Sequence, residues 1–116
     1  MKFNSILIGS ENPRRLADYY TKLFGEPAMS DGTYSGWKIG DGFVAVGPHD
    51  QVKGRNAQPG RIIWNIESAD VKGDFARLEA AGANVVREPY SLGDPPTWIA
   101  TFADPDENYF QLMTAM

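Results

Sequence analysis

One order of elements occurs twice in this chain, and that repeat constrains the fold more than anything else. FNSILIG is rich in β-branched residues and reads as a strand. SENPRRLADYYTKLFGEP then carries helix signals at both ends. Asn12 suits an N-cap with Pro13 at the first helical position, Leu16, Tyr19, Tyr20 and Leu23 fall at helical spacing, and Gly25 before Pro27 is a stop. Strands are expected near residues 28–30, 33–39 and 43–46, with Asp31-Gly32 and Asp41-Gly42 turns between them. After the Gly- and Pro-rich stretch GPHDQVKGRNAQPG the order recurs. RIIWNIE is a strand, and Asp70 caps a helix carrying Val71, Phe75 and Leu78 that stops at Gly82. ANVVREP, PTWIATFA and NYFQLMT complete the set.

The two helix-stop glycines stand 57 positions apart (82 − 25), as do Asn4 and Arg61 (61 − 4). The turns that open the two fourth strands are 66 apart (107 − 41), so the second half holds about nine extra residues. The loop YSLGDPP is the simplest place for them. The pattern predicts an α+β domain over residues 1–116, built from two βαβββ modules. Module one covers about 1–48, a linker 49–60 and module two about 61–116.

Alternation assigns each strand two faces. Phe110 and Leu112 oppose Tyr109, Gln111 and Met113. Ile62, Trp64 and Ile66 oppose Arg61, Ile63 and Asn65. Val44 and Val46 oppose Phe43, Ala45 and Gly47, and Leu7 opposes Asn4, Ile6 and Ile8. The uniformly apolar set is expected under the helices. The other set mixes apolar walls with a few amides and a guanidinium, which is the composition of a ligand cleft. The candidate ligand-binding residues are Asn4, Trp37, Phe43, Arg61, Asn65, Trp98, Tyr109 and Gln111.

Several of these have a structural alternative. Arg61 is either an anion anchor or a solvated strand-end arginine, and Gln111 either bonds a ligand or a neighbouring strand. Trp37 and Trp98 either stack on a planar ligand or fill the core. Trp64, Tyr19 and Tyr20 are assigned to packing and His49 to a solvated loop.

Composition excludes several function classes. A net charge of −4 argues against nucleic acid, because neutralising phosphates requires a basic face. With no cysteine there is no disulfide, thiolate nucleophile or Cys-ligated metal. The N-terminal apolar run is too short for a signal-peptide core, and nothing approaches the roughly 20 residues that span a bilayer. A cytoplasmic protein with no membrane partner is the expectation.

NSILIGSENPRRLADYYTKLFG, VKGDFARLEAAGANVVREP and ADPDENYFQL resemble segments of the vicinal oxygen chelate superfamily, which includes glyoxalase I, bleomycin-resistance proteins and extradiol dioxygenases. Together they cover most of the chain, and the closing turn is the most specific of them. The resemblance implies paired βαβββ modules, a curved eight-stranded mixed sheet around a cleft with helices on the outer face, and a homodimer. In metal-dependent members the first and fourth strands of each module supply His, Glu or similar ligands. Carried over, those positions are Asn4, Ala45, Arg61 and Gln111, a poor set for a divalent ion. No metal and no cofactor are therefore expected. Glu107 stands where the family usually has Gly, so either Asn108 takes over the left-handed backbone there or the turn differs slightly.

The cleft-facing set contains no carboxylate and no histidine, so an acid-base role would fall to Tyr109, Tyr34 or a loop carboxylate not identified from the sequence. Binding a small, partly planar organic molecule, in the manner of bleomycin-resistance proteins, ranks first. A metal-independent lyase, isomerase or hydrolase is the alternative, and a dimeric interaction module with no ligand is the third.

Overall fold

The computed structural model describes residues 1–116. The helix starts and stops follow local chemistry. Helix α1 spans Pro13–Phe24. The Asn12 side chain accepts a hydrogen bond from the Arg15 N–H at 3.2 Å, satisfying a donor the helix leaves open. Leu16, Tyr19, Tyr20 and Leu23 are all buried, as their spacing predicts. Gly25, at φ 87°, ends the helix in a conformation that penalises any Cβ. Helix α2 spans Val71–Ala80, capped by the Asp70 carboxylate on the Gly73 N–H at 3.0 Å and followed by Gly82 at φ 107°.

The chain divides into two compact units, Met1–Arg55 and Asn56–Met116. The first holds β1 (Ile6–Ser10), β2 (Met29–Ser30), β3 (Ser35–Ile39) and β4 (Gly42–Pro48) with α1. Its four-stranded sheet has the order β1-β4-β3-β2, with β1 parallel to β4 and the other pairs antiparallel. The second holds β5 (Trp64–Glu67), β6 (Asn84–Leu92), β7 (Thr97–Ala103) and β8 (Tyr109–Met113) with α2. Its order is β5-β8-β7-β6, with β5 parallel to β8. Each unit is thus a βαβββ module whose first and fourth strands lie side by side.

Each module has its own core. In the first, Tyr20 packs against Trp37 and stacks on Phe24, over Val44 and Val46. In the second, Phe75 of α2 stacks on Phe102, Phe102 on Phe110, and Phe110 meets Trp64. The fully buried rings among these, Tyr20, Phe102 and Phe110, each stabilise by about 2–3 kcal/mol. Val44, Val46, Trp64, Phe110 and Leu112 lie on the helix side, as alternation requires.

Four expectations are corrected. On β1 the faces are reversed. Ile6 and Ile8 pair with Val44 and Val46, so they share the helix side, and Leu7 is 52% exposed. The reason lies at the strand's end, where the buried Ser10 hydroxyl accepts from the Asn12 N–H at the helix entrance. Fixing Ser10 inward fixes Ile8 and Ile6 inward by parity, whereas the run Ile6-Leu7-Ile8 is apolar throughout and sets no parity itself.

Strand β5 begins only at Trp64; Pro59–Arg61 forms a 3₁₀ turn and Ile62 is exposed. The extra residues of module two lengthen strands rather than a loop, since β6 runs to Leu92 where its counterpart β2 has two residues. Finally, Glu107 itself takes the left-handed backbone, at φ 63°. The turn around it is organised by buried Asp104, whose carboxylate accepts from the Asp106 N–H (2.9 Å), the Asn108 N–H (3.0 Å) and Asn108 Nδ2.

Candidate functional site

The residues with the most defined chemistry lie on the module-two sheet face turned away from α2. Register aligns Asn65 of β5, Gln111 of β8, Thr101 of β7 and Arg87 of β6 in one row across the sheet. The Thr101 hydroxyl donates to Gln111 Oε1 at 2.9 Å, and Gln111 Nε2 donates to Asn65 Oδ1 at 2.8 Å. Gln111 therefore bonds both neighbouring strands, the structural one of its two alternatives. The amide functions at the end of the chain pass to Asn65, whose Nδ2 is left as a donor on an exposed residue. Tyr109 pairs with Ala103 on one side of this row, and Met113 with Ile99 on the other; Tyr109, Met113 and Ile99 are half-buried. Apolar walls around a few directed polar groups are what a small-molecule site requires.

Arg87 and Tyr90 were not among the sequence-derived candidates. Three positions apart, they belong on opposite faces of a regular strand. Two irregularities in the β6–β7 register, one between Val85 and Arg87 and one between Arg87 and Tyr90, put both on the face of Gln111. The guanidinium carbon of Arg87 then lies 3.5 Å from the centroid of the Tyr90 ring. Pro89 was the available signal, because a proline inside a strand marks an edge or a bulge.

In module one the corresponding face is aromatic. The Phe43 ring lies over Gly36 and the Tyr34 ring over Gly47, so closely that a Cβ at either glycine would overlap the ring. Ala45 and Leu7 pair beside them.

The other candidates lie elsewhere. Trp37 is 3% exposed, packed on Tyr20, and donates its indole N–H to the Gly25 carbonyl at 2.8 Å. Trp98 alternates with Ile99 onto the helix side, under the Lys72 ammonium of α2 at 3.9 Å. Both indoles lie on the helix side of their sheets, the packing one of their two alternatives. Asn4 precedes β1 and is exposed, and Arg61 sits in the 3₁₀ turn with its guanidinium on Gln58 Oε1. Both fall outside the strands because each strand begins three residues later than expected.

Within module one, a recess of about 490 Å³ lies between α1 and the β2–β3 hairpin, with Arg14, Asp18, Glu26 and Thr33 in its walls. None of the sequence-derived candidates lines it.

The donor set does not fit a divalent metal. Ala45 has no donor atom, Arg61 is cationic, Asn4 is off the strand, and both ends of the Gln111 amide are engaged. No group of three or more His, Cys, Asp or Glu side chains is placed to hold an ion. Among titratable groups, Asp74 is held below the ordinary carboxylate range by the Ser68 hydroxyl at 2.6 Å and then by Arg77, against some desolvation. Asp31 is lowered by the Tyr34 and Thr33 N–H groups. Neither carboxylate lies on the face described above.

A family model for the glyoxalase-like domain matches residues 5–113. The chain belongs to the glyoxalase-like family. This places it in the glyoxalase/bleomycin-resistance/dioxygenase superfamily. Solved structures agree on the fold. A structure described as a conserved domain protein superposes with TM-score 0.81 at 20% identity, covering 100% of both chains. A glyoxalase-related enzyme from Fulvimarina pelagi gives 0.73 at 18% identity, over 99% of this chain and 89% of that one. A glyoxalase/bleomycin resistance protein/dioxygenase family enzyme from Burkholderia phytofirmans gives 0.70 at 17%, over 97% and 98%. No curated protein matches the chain significantly. No helix is long and apolar enough to cross a membrane.

Proposed function

We propose that this glyoxalase-like domain binds a small, partly planar organic molecule without a metal ion, as a sequestering protein of the bleomycin-resistance type does. The observation that carries the reading is the Thr101–Gln111–Asn65 chain on an otherwise half-apolar sheet face. Such a chain costs stability unless every member is satisfied, and here it orients one amide outward. On the module-two face itself, Tyr109 and Tyr90 supply the aromatic surface that stacks on conjugated ligands. Contrary to the expectation of a face without a carboxylate, Glu67 lies on it beside Met113. Catalysis is the weaker reading because Glu67 sits at the opposite end of β8 from Tyr109, so no base is placed beside that hydroxyl.

A thermal-shift screen of planar metabolites and antibiotics tests this. A ligand at 100 times its dissociation constant adds about 2.7 kcal/mol. Each hit is then incubated with the protein and recovered for mass spectrometry. Unchanged ligand is the expected result, and catalytic turnover overturns sequestration in favour of an enzyme. Titration with zinc, nickel, manganese and iron(II) gives no stoichiometric binding tighter than about micromolar; tight binding refutes the metal-free part of the proposal. Leu7, Val85, Val86 and Leu92 are large apolar residues exposed on strands, and they support a homodimer. Light scattering that stays monomeric over a hundredfold concentration range removes that assignment.

A further inference from the structure

We infer that the molecule bound on the module-two face is a monoanion, a planar body carrying one carboxylate, and that Arg87 is the residue that selects it. The inference rests on the binding reading above and names its ligand class. Two register irregularities in β6 turn Arg87 onto the face of Gln111 and bring Tyr90 with it. Bulges of this kind disrupt the ladder, and they characteristically re-aim side chains beside binding sites. The guanidinium lies 3.5 Å from the centroid of the Tyr90 ring, which restricts its motion and leaves its N–H edge available.

No acidic side chain of the protein pairs with that edge: the ion pairs of the second unit engage other residues. Arg87 therefore presents a planar fork of donors, which matches the two oxygens of a carboxylate. It occupies the same row as Thr101, Gln111 and Asn65, so one end of that row presents a cation and the other an amide. Three strand spacings separate the ends at the backbone, about 14 Å, the scale of a fused-ring or conjugated acid.

Charge decides for a single carboxylate over a phosphate dianion. Arg87 is the one cation in the row, Glu67 lies on the same face beside Met113, and the whole chain carries −4. A second negative charge on the ligand would meet no second cation and would add repulsion.

The test uses a matched pair of probes, 2-naphthoate and 2-naphthamide, which share shape and differ in charge. Affinities are measured by isothermal titration calorimetry on wild type, Arg87→Gln and Arg87→Lys, with amide NMR shifts locating the site. In wild type, 2-naphthoate binds about tenfold or more tighter than the amide, as a charge-assisted bidentate pair predicts. Arg87→Gln abolishes the difference, and Arg87→Lys recovers part of it. Shifts centre on Asn65, Thr101, Gln111 and Tyr90. If both probes bind equally, or Arg87→Gln keeps the preference, the carboxylate assignment is overturned while planar binding stands. If neither probe binds at millimolar concentration, both the assignment and the binding reading fall. Arg87 is exposed, so both variants fold, and the dispersion of their NMR spectra verifies it.

Discussion

Replacing Asp104 by alanine tests how the strand carrying Gln111 is held in place. Asp104 is 1% exposed and its carboxylate accepts from two backbone N–H groups, those of Asp106 and Asn108, and from the Asn108 side chain. Alanine leaves both backbone donors without this acceptor, at about 1–3 kcal/mol each for buried groups. Losing the Asn108 contact adds about 1 kcal/mol, since that half-buried amide can turn toward water. Removing a desolvated carboxylate returns part of this. The net expectation is a loss of about 3 kcal/mol, a large share of the 5–15 kcal/mol typical of a domain. Asparagine keeps one oxygen acceptor for the backbone and loses only the charge assistance, so Asp104→Asn costs about 1–2 kcal/mol. Urea denaturation followed by tryptophan fluorescence reads both. With a slope near 2 kcal/mol/M, the alanine midpoint falls by about 1.5 M. An alanine variant that loses less than about 1 kcal/mol, or an asparagine variant as unstable as alanine, refutes the carboxylate's role as acceptor at the turn.

Three further outcomes follow from the geometry. Glu107→Gly removes a Cβ from a φ of 63° and stabilises by about 0.5–1 kcal/mol, the left-handed penalty less the entropy of glycine; a destabilised variant in the same urea assay would show that the Glu107 side chain outweighs its backbone strain. Gly47→Ala collides with the Tyr34 ring and costs about 1–2 kcal/mol, most of which a second change, Tyr34→Ala, restores; a cost that persists in the double variant places the strain elsewhere. For Asp74, whose pKa is depressed mainly by Ser68, the stabilisation is present above the unfolded pKa and lost as pH falls through the lower folded one. Ser68→Ala moves the folded pKa upward toward the ordinary range, so the stability gap between wild type and variant narrows on acidification below about pH 4. The side chain of Asp74 is 37% exposed, so screening keeps this effect small, and a carbon-13 carboxyl titration is the direct readout; an unmoved Asp74 midpoint refutes the assigned cause.

Local chemistry was legible in the chain itself. Both helices, their caps at Asn12 and Asp70, and their buried stripes follow from spacing and propensity, because those forces act within a few residues. Where one face of a strand was uniformly apolar, as in Val44, Val46, Phe110 and Leu112, alternation also assigned the helix side. That sufficed for the two βαβββ modules. It placed Phe43, Asn65, Tyr109 and Gln111 on the faces away from the helices.

What depended on register was decided only by tertiary structure. Ile6-Leu7-Ile8 has no alternation, so the burial of Ser10 chose its parity. Trp37 and Trp98 were ambiguous because an indole suits a core or a stacking surface equally, and pairing with β4 and β8 put both on the helix side. The first strand of each module starts three residues later than expected, which moved Asn4 and Arg61 off the sheets. The juxtaposition of Arg87 with Tyr90 arose from register irregularities, which count residues on two strands at once. Likewise, the hydrogen bond from Gln111 to Asn65 joins residues 46 positions apart. No pattern along one strand encodes such a pairing; it exists only once the neighbouring strand has docked.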